Sequence, residues 1–136
     1  MCANARERSL VDKLGIHDGM RVVAVDDVDA AVVALISGAG AEVASLPARR
    51  SAAERPTTQA ALLQVHDRAG LAALPSLRDT LVPDGMLWVL WPKGIREVGE
   101  GDVQRAGLDA GLVDVKVASV SETLSGLKFV FRLRDR

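Results

Sequence analysis

Tyrosine is absent from this chain, and its aromatic content comes down to two Trp and two Phe in 136 residues. That scarcity removes the stacking platforms on which single-stranded nucleic acids are held. A lone cysteine, Cys2, excludes an internal disulfide and a cysteine-based metal cage. The two histidines, His17 and His66, are too few for a multi-histidine metal centre. Neither sign of charge dominates. Seventeen Lys and Arg stand against 18 Asp and Glu, for a formal net charge of −1, so no basic field draws in nucleic acid. No run approaches the roughly 18 apolar residues that cross a membrane. The first residues, Met1-Cys2-Ala3-Asn4-Ala5-Arg6-Glu7-Arg8, lack the apolar core of a signal peptide. The expectation is a cytoplasmic protein with no nucleic-acid or membrane partner, its oligomeric state open.

What is present is an ordinary globular composition, 49% hydrophobic and 26% charged, in a chain long enough to bury one core. Residues 1–13 read as a tail with a short helix carrying Leu10 and Val11, and residues 14–136 as a single domain. Met20-Arg21-Val22-Val23-Ala24-Val25 reads as a first strand buried on both faces. Residues 30–36 continue as a helix, with Asp27 or Asp29 as its N-cap and Gly38 or Gly40 as its stop. Residues 41–46 form a second strand. Residues 47–59, with Arg49, Arg50 and Arg55 and no periodicity, read as a loop.

Residues 60–65 are a third strand, ended by His66-Asp67. Asp67 can cap a helix bearing Leu71, Leu74, Leu77 and Leu81, which Pro75 must kink or split. A Pro83-Asp84-Gly85 turn then leads into Met86-Leu87-Trp88-Val89-Leu90-Trp91, six apolar residues with both tryptophans. Such a run predicts an interior strand, and Trp91-Pro92-Lys93 stops its pairing. Asp102 is the expected cap of a helix through Ala110. Residues 113–117 and 127–133 mostly alternate with period two, which predicts an antiparallel pair around a loop at 121–126. Lys116 and Lys128 fall on the polar face of that pair.

Strands alternating with helices and closed by an antiparallel pair resemble the ground plan of class I S-adenosylmethionine-dependent methyltransferases. Leu81-x-Pro83-x-Gly85-x-Leu87 is similar to their turn before the fifth strand. Over residues 14–133 the chain also resembles a family of small bacterial proteins of unknown function. The matching stretches are Leu14-Gly15-Ile16, Gly19-x-Arg21-Val22, Trp88-Val89-x-Trp91-Pro92-Lys93, Gly111-Leu112-Val113-Asp114-Val115-Lys116-Val117 and Ser125-Gly126-Leu127-Lys128-Phe129-Val130. Gly94 and Leu124 depart from that family's pattern, which has lysine and tryptophan there. The resemblance implies an α/β fold: a three-layer methyltransferase-like Rossmann sheet of about six strands, mostly parallel, with a C-terminal antiparallel hairpin. It implies no activity.

A methyltransferase cofactor needs a glycine-rich turn after the first strand and an acid after the second. Here the first turn is Asp26-Asp27-Val28-Asp29 and the second strand ends Ser45-Leu46-Pro47. Neither requirement is met, and no cofactor is expected. Parallel strands would nevertheless gather Asp26, Asp27, His66, Asp67, Trp91 and Lys93 at one carboxyl rim, where open sheets bind ligands. Nothing comparable gathers at the opposite rim. The acids also resemble the magnesium site of receiver domains, with Asp67 as phosphoacceptor, or the start of a phosphatase. The hydroxyl, final helix and further acids of those patterns are missing, so helix capping is the favoured reading of the acids and no metal is assigned. The leading function is a non-catalytic binding or regulatory module for a small anionic ligand or a protein partner. A small enzyme using His66, Asp67, Asp26 and Lys93, and a remnant methyltransferase, are the alternatives.

Overall fold

In the computed structural model the described residues are 14–25, 28–46 and 58–132, with the backbone alone at 45 and 46. The N-terminal tail and helix, Asp26, Asp27 and the arginines of the 47–59 loop therefore lie outside the described residues. Six strands are present among those described: β1 (Arg21–Val25), β2 (Glu42–Leu46), β3 (Thr58–Gln64), β4 (Leu81–Pro92), β5 (Leu112–Ser119) and β6 (Leu124–Phe131). They form one sheet in the order β2-β1-β3-β4-β6-β5. β2, β1, β3 and β4 run parallel, and β6 is antiparallel to both β4 and β5. The helices are α1 (Ala30–Gly38), a 3₁₀ helix (Arg68–Ala73), α2 (Leu74–Arg78) and α3 (Glu100–Asp109).

The central strand is apolar throughout because both of its faces are buried. Met86, Trp88 and Leu90 share one core with Val22, Ala24 and Leu62, covered by Val32 and Ile36 of α1 and by Leu14 and Ile16. Leu87, Val89 and Trp91 share the other with Val23, Leu63 and Phe129, covered by Leu71, Leu74, Leu77 and Val103. With no water on either side, period-two polarity has no cause. The result is the three-layer arrangement that the sequence predicts.

Three local expectations are corrected and one, the second below, is borne out and refined. First, β4 begins at Leu81, not Met86, and Leu81 belongs to no helix. Leu81 pairs with Thr58 and Met86 with Ala60, so residues 82–85 oppose Gln59 alone. Pro83 is tolerated because it sits in that irregular stretch. At Gly85 a Cβ would lie 3.0 Å from the Val82 carbonyl oxygen and 3.2 Å from that of Gln59, so a side chain there would press on the backbone of both strands. Second, the split at Pro75 occurs, but it yields a 3₁₀ helix followed by the five-residue α2 with proline in its first turn. Third, Gly99 is the N-cap of α3, and Asp102 lies one turn in, its Oδ2 accepting the Gly99 N–H at 3.0 Å. Fourth, the hairpin is tighter than the alternation predicts. Ser125 and Gly126 are in β6, opposite Ser119 and Ala118, and only residues 120–123 connect the strands.

Candidate functional site

The strand order reverses between β1 and β3, and the crevice outside the carboxyl ends there is where an open α/β sheet takes a ligand. In this chain the crevice is spanned by its own side chains. The Val28 N–H donates to the Val25 carbonyl at 2.9 Å, turning β1 tightly towards α1. Asp29 caps α1, its carboxylate accepting the Ala31 N–H at 2.8 Å. The Asp29 N–H in turn donates to Oε1 of Gln64, the last residue of β3, at 2.7 Å. Donors of this kind at a helix N-terminus are what hold a ligand's anionic group, and here two of them are occupied. Sequence reasoning missed Gln64. Its signal is a polar residue at the end of an otherwise apolar strand beside the reversal point.

The described members of the predicted set occupy the carboxyl rim in different ways. Asp26 and Asp27 lie outside the described residues. His66 is exposed just beyond β3 and makes no hydrogen bond among the described residues. Asp67 caps the 3₁₀ helix, accepting the Gly70 N–H at 3.1 Å. Trp91 is buried, 6% exposed, within the core that includes Leu127 and Phe129. Lys93 donates from Nζ to Ser119 Oγ at 2.6 Å and from its backbone N–H to the Thr123 carbonyl at 2.8 Å. Because Gln64 pairs with Leu90, His66 and Lys93 leave the same rim from neighbouring strands. The Lys93 ammonium, however, is engaged on the hairpin side, at the end of β5. No group of three or more metal-ligating side chains gathers among the described residues.

One ion pair pins the two helical elements beside this rim: Arg68 Nε to Asp102 Oδ1, 3.2 Å. The Gly99 backbone N–H and then the Arg68 guanidinium hold the Asp102 carboxyl below its ordinary value. A depressed carboxyl stabilises the fold above its unfolded value and loses that contribution as pH falls through the folded one. Urea unfolding of the protein and of Asp102→Asn is therefore expected to differ at pH 6. The difference should shrink as pH drops below about 3.9, the ordinary aspartate value. A difference that stays constant down to pH 2 would contradict this.

The opposite rim is not empty, and here the structure corrects the sequence reading. A pocket of about 170 Å³ opens where the strands begin, lined by Gln59, Asp84 and Lys128 together with Met20, Met86 and Val130. Lys128 shares its face of the hairpin with the exposed Lys116. It stands opposite Trp88 in β4, half-buried, on the same side of the sheet.

No protein-family model matches the chain, and no curated protein matches it. Among solved structures it is similar to 1,6-didemethyltoxoflavin-N1-methyltransferase of Burkholderia thailandensis, with bound S-adenosylhomocysteine, at 12% identity and a TM-score of 0.66, covering 90% of this chain and 75% of that one. It is also similar to a SAM-dependent methyltransferase from Aquifex aeolicus, at 18% identity and a TM-score of 0.62, covering 90% and 88%. A third similar structure is the [4+2]-cyclase SpnF, at 12% identity and a TM-score of 0.61, covering 95% and 80%. Identities this low speak of the fold alone, and the fold is the methyltransferase-like Rossmann type.

Proposed function

We propose that the protein is a non-catalytic binding or regulatory module on a methyltransferase-like fold, one that does not hold S-adenosylmethionine at the reversal point of its sheet. The observation that carries this reading is the Gln64–Asp29–Ala31 chain of hydrogen bonds, which occupies the donors that a cofactor carboxylate would need. The first-strand turn has no glycine to admit a close ligand, and no acid follows β2 to bind ribose hydroxyls. The fold does not argue the other way. One similar structure is a cyclase, and fold class does not carry function. Any small anionic ligand at the carboxyl rim would meet His66, whose exposed side chain has no hydrogen-bond partner among the described residues, and Lys93 if it released Ser119.

The test is calorimetric titration with S-adenosylmethionine and S-adenosylhomocysteine. Neither is expected to bind more tightly than about 100 µM, roughly −5.5 kcal/mol. Tighter binding of either would favour the remnant methyltransferase and overturn this reading.

A further inference from the structure

The pocket at the amino rim carries two opposite charges that no described residue pairs. The Lys128 side chain makes no hydrogen bond or ion pair among the described residues, and neither does that of Asp84 on the same pocket wall. The two are farther apart than an ion pair allows. The lysine head lies near Gly15 (φ +74°), where a Cβ would stand 3.9 Å from Lys128 Nζ and 3.7 Å from the Met86 thioether, ordinary contact distances. Gln59 gives its side-chain carbonyl to the Arg21 N–H at 2.8 Å, which leaves its NH₂ as a donor. The remaining lining is apolar, from Met20, Val82, Met86 and Val130.

We propose that this pocket binds a free α-amino acid with a short apolar side chain. The carboxylate is taken by the Lys128 ammonium and the Gln59 amide, and the ammonium by the Asp84 carboxylate. The side chain lies against Met20, Met86 and Val130. A zwitterion supplies both missing partners at once, and charge-assisted hydrogen bonds of this kind are the strong ones. Size agrees. The volume, about 170 Å³, slightly exceeds the roughly 150 Å³ engineered cavity that holds benzene. That suits a molecule of about six to eight heavy atoms. The site is separate from the carboxyl rim, so its failure leaves the preceding reading intact.

The experiment is titration of the full chain with L-valine, followed by amide chemical shifts and calorimetry. Saturable binding is expected, with shifts centred on Gln59, Asp84 and Lys128. Isovalerate, lacking the ammonium, and isobutylamine, lacking the carboxylate, should each bind about tenfold more weakly, or ~1.4 kcal/mol. Lys128→Met keeps the lysine stem and should lose about tenfold or more in affinity. Asp84→Asn alters an exposed residue in the irregular stretch and tests the other charge without risk to the core. No saturation by about 10 mM, or unchanged affinity in both variants, would overturn the site. Isovalerate binding as tightly as L-valine would overturn its zwitterion specificity.

Discussion

Trp88→Ala is expected to cost about 3–5 kcal/mol of stability, the upper range for a buried aromatic. Trp88 is fully buried in β4, between Leu62 of β3 and Lys128 of β6. Its indole N–H donates to the Leu14 carbonyl at 2.9 Å, tying the start of the described chain to the middle of the sheet. Gly126 of β6 lies beside the ring, where a Cβ would stand 2.9 Å from Val120, 3.0 Å from Leu90 and 3.2 Å from Trp88 Cε3. Strands on both sides leave the vacated space little freedom to collapse, so the cavity persists. Trp88→Phe separates the two contributions. It keeps most of the apolar volume but leaves the Leu14 carbonyl buried without a donor, at about 1–3 kcal/mol. Urea unfolding followed by Trp91 fluorescence measures both variants. Hydrogen exchange should accelerate at residues 14–16 in Trp88→Phe. A variant within about 0.5 kcal/mol of the parent would show that the indole contact contributes nothing.

The same packing explains which parts of the fold could be read in advance. Residues 22–25 and 86–91 are apolar without alternation because each face meets its own core, so their strands are legible from composition alone. Pro75 and Asp67 act locally, and their effects are legible too. The stretches that carry the resemblance to the small bacterial family include Leu14-Gly15-Ile16, Trp88 and Gly126, which meet around one ring. That motif reports packing as much as chemistry. The hairpin was harder to read because Val115 is an extra residue: Asp114 pairs with Phe129 and Lys116 with Lys128. One inserted residue exchanges the faces of everything beyond it, so Asp114 falls opposite the buried Phe129 while Lys116 shares its face with Lys128, as the sequence reading has it; alternation misplaces Asp114 and the loop.

The candidate site was less legible still. Lys93 meets Ser119 across 26 positions and Asp29 meets Gln64 across 35, separations that no local pattern encodes. The amino-rim pocket depends on where Lys128 falls along β6, beside the irregular stretch at residues 82–85. A turn-like Pro-Asp-Gly tripeptide gives no sign that its aspartate will share a pocket with a lysine more than forty positions away.

Gly107→Ala should destabilise the protein by about 1–3 kcal/mol, although alanine is the better helix former by about 1 kcal/mol. Gly107 lies on the buried side of α3, and a Cβ built there collides with the ring of Phe129. Phe129 is itself fully buried in β6, opposite Leu87, so the ring has no free volume to enter and the helix must lift from the sheet. Gly101, in the same helix, has nothing within 4 Å of its would-be Cβ. Gly101→Ala should therefore be neutral or slightly stabilising, which isolates the steric part of the Gly107 effect. Phe129→Leu removes ring atoms from the point of collision. In the Gly107→Ala background it should restore part of the lost stability, with a coupling of about 0.5–3 kcal/mol in a double-mutant cycle. Additive losses in that cycle, or a Gly107→Ala protein more stable than the parent, would mean that α3 does not rest on the Phe129 ring.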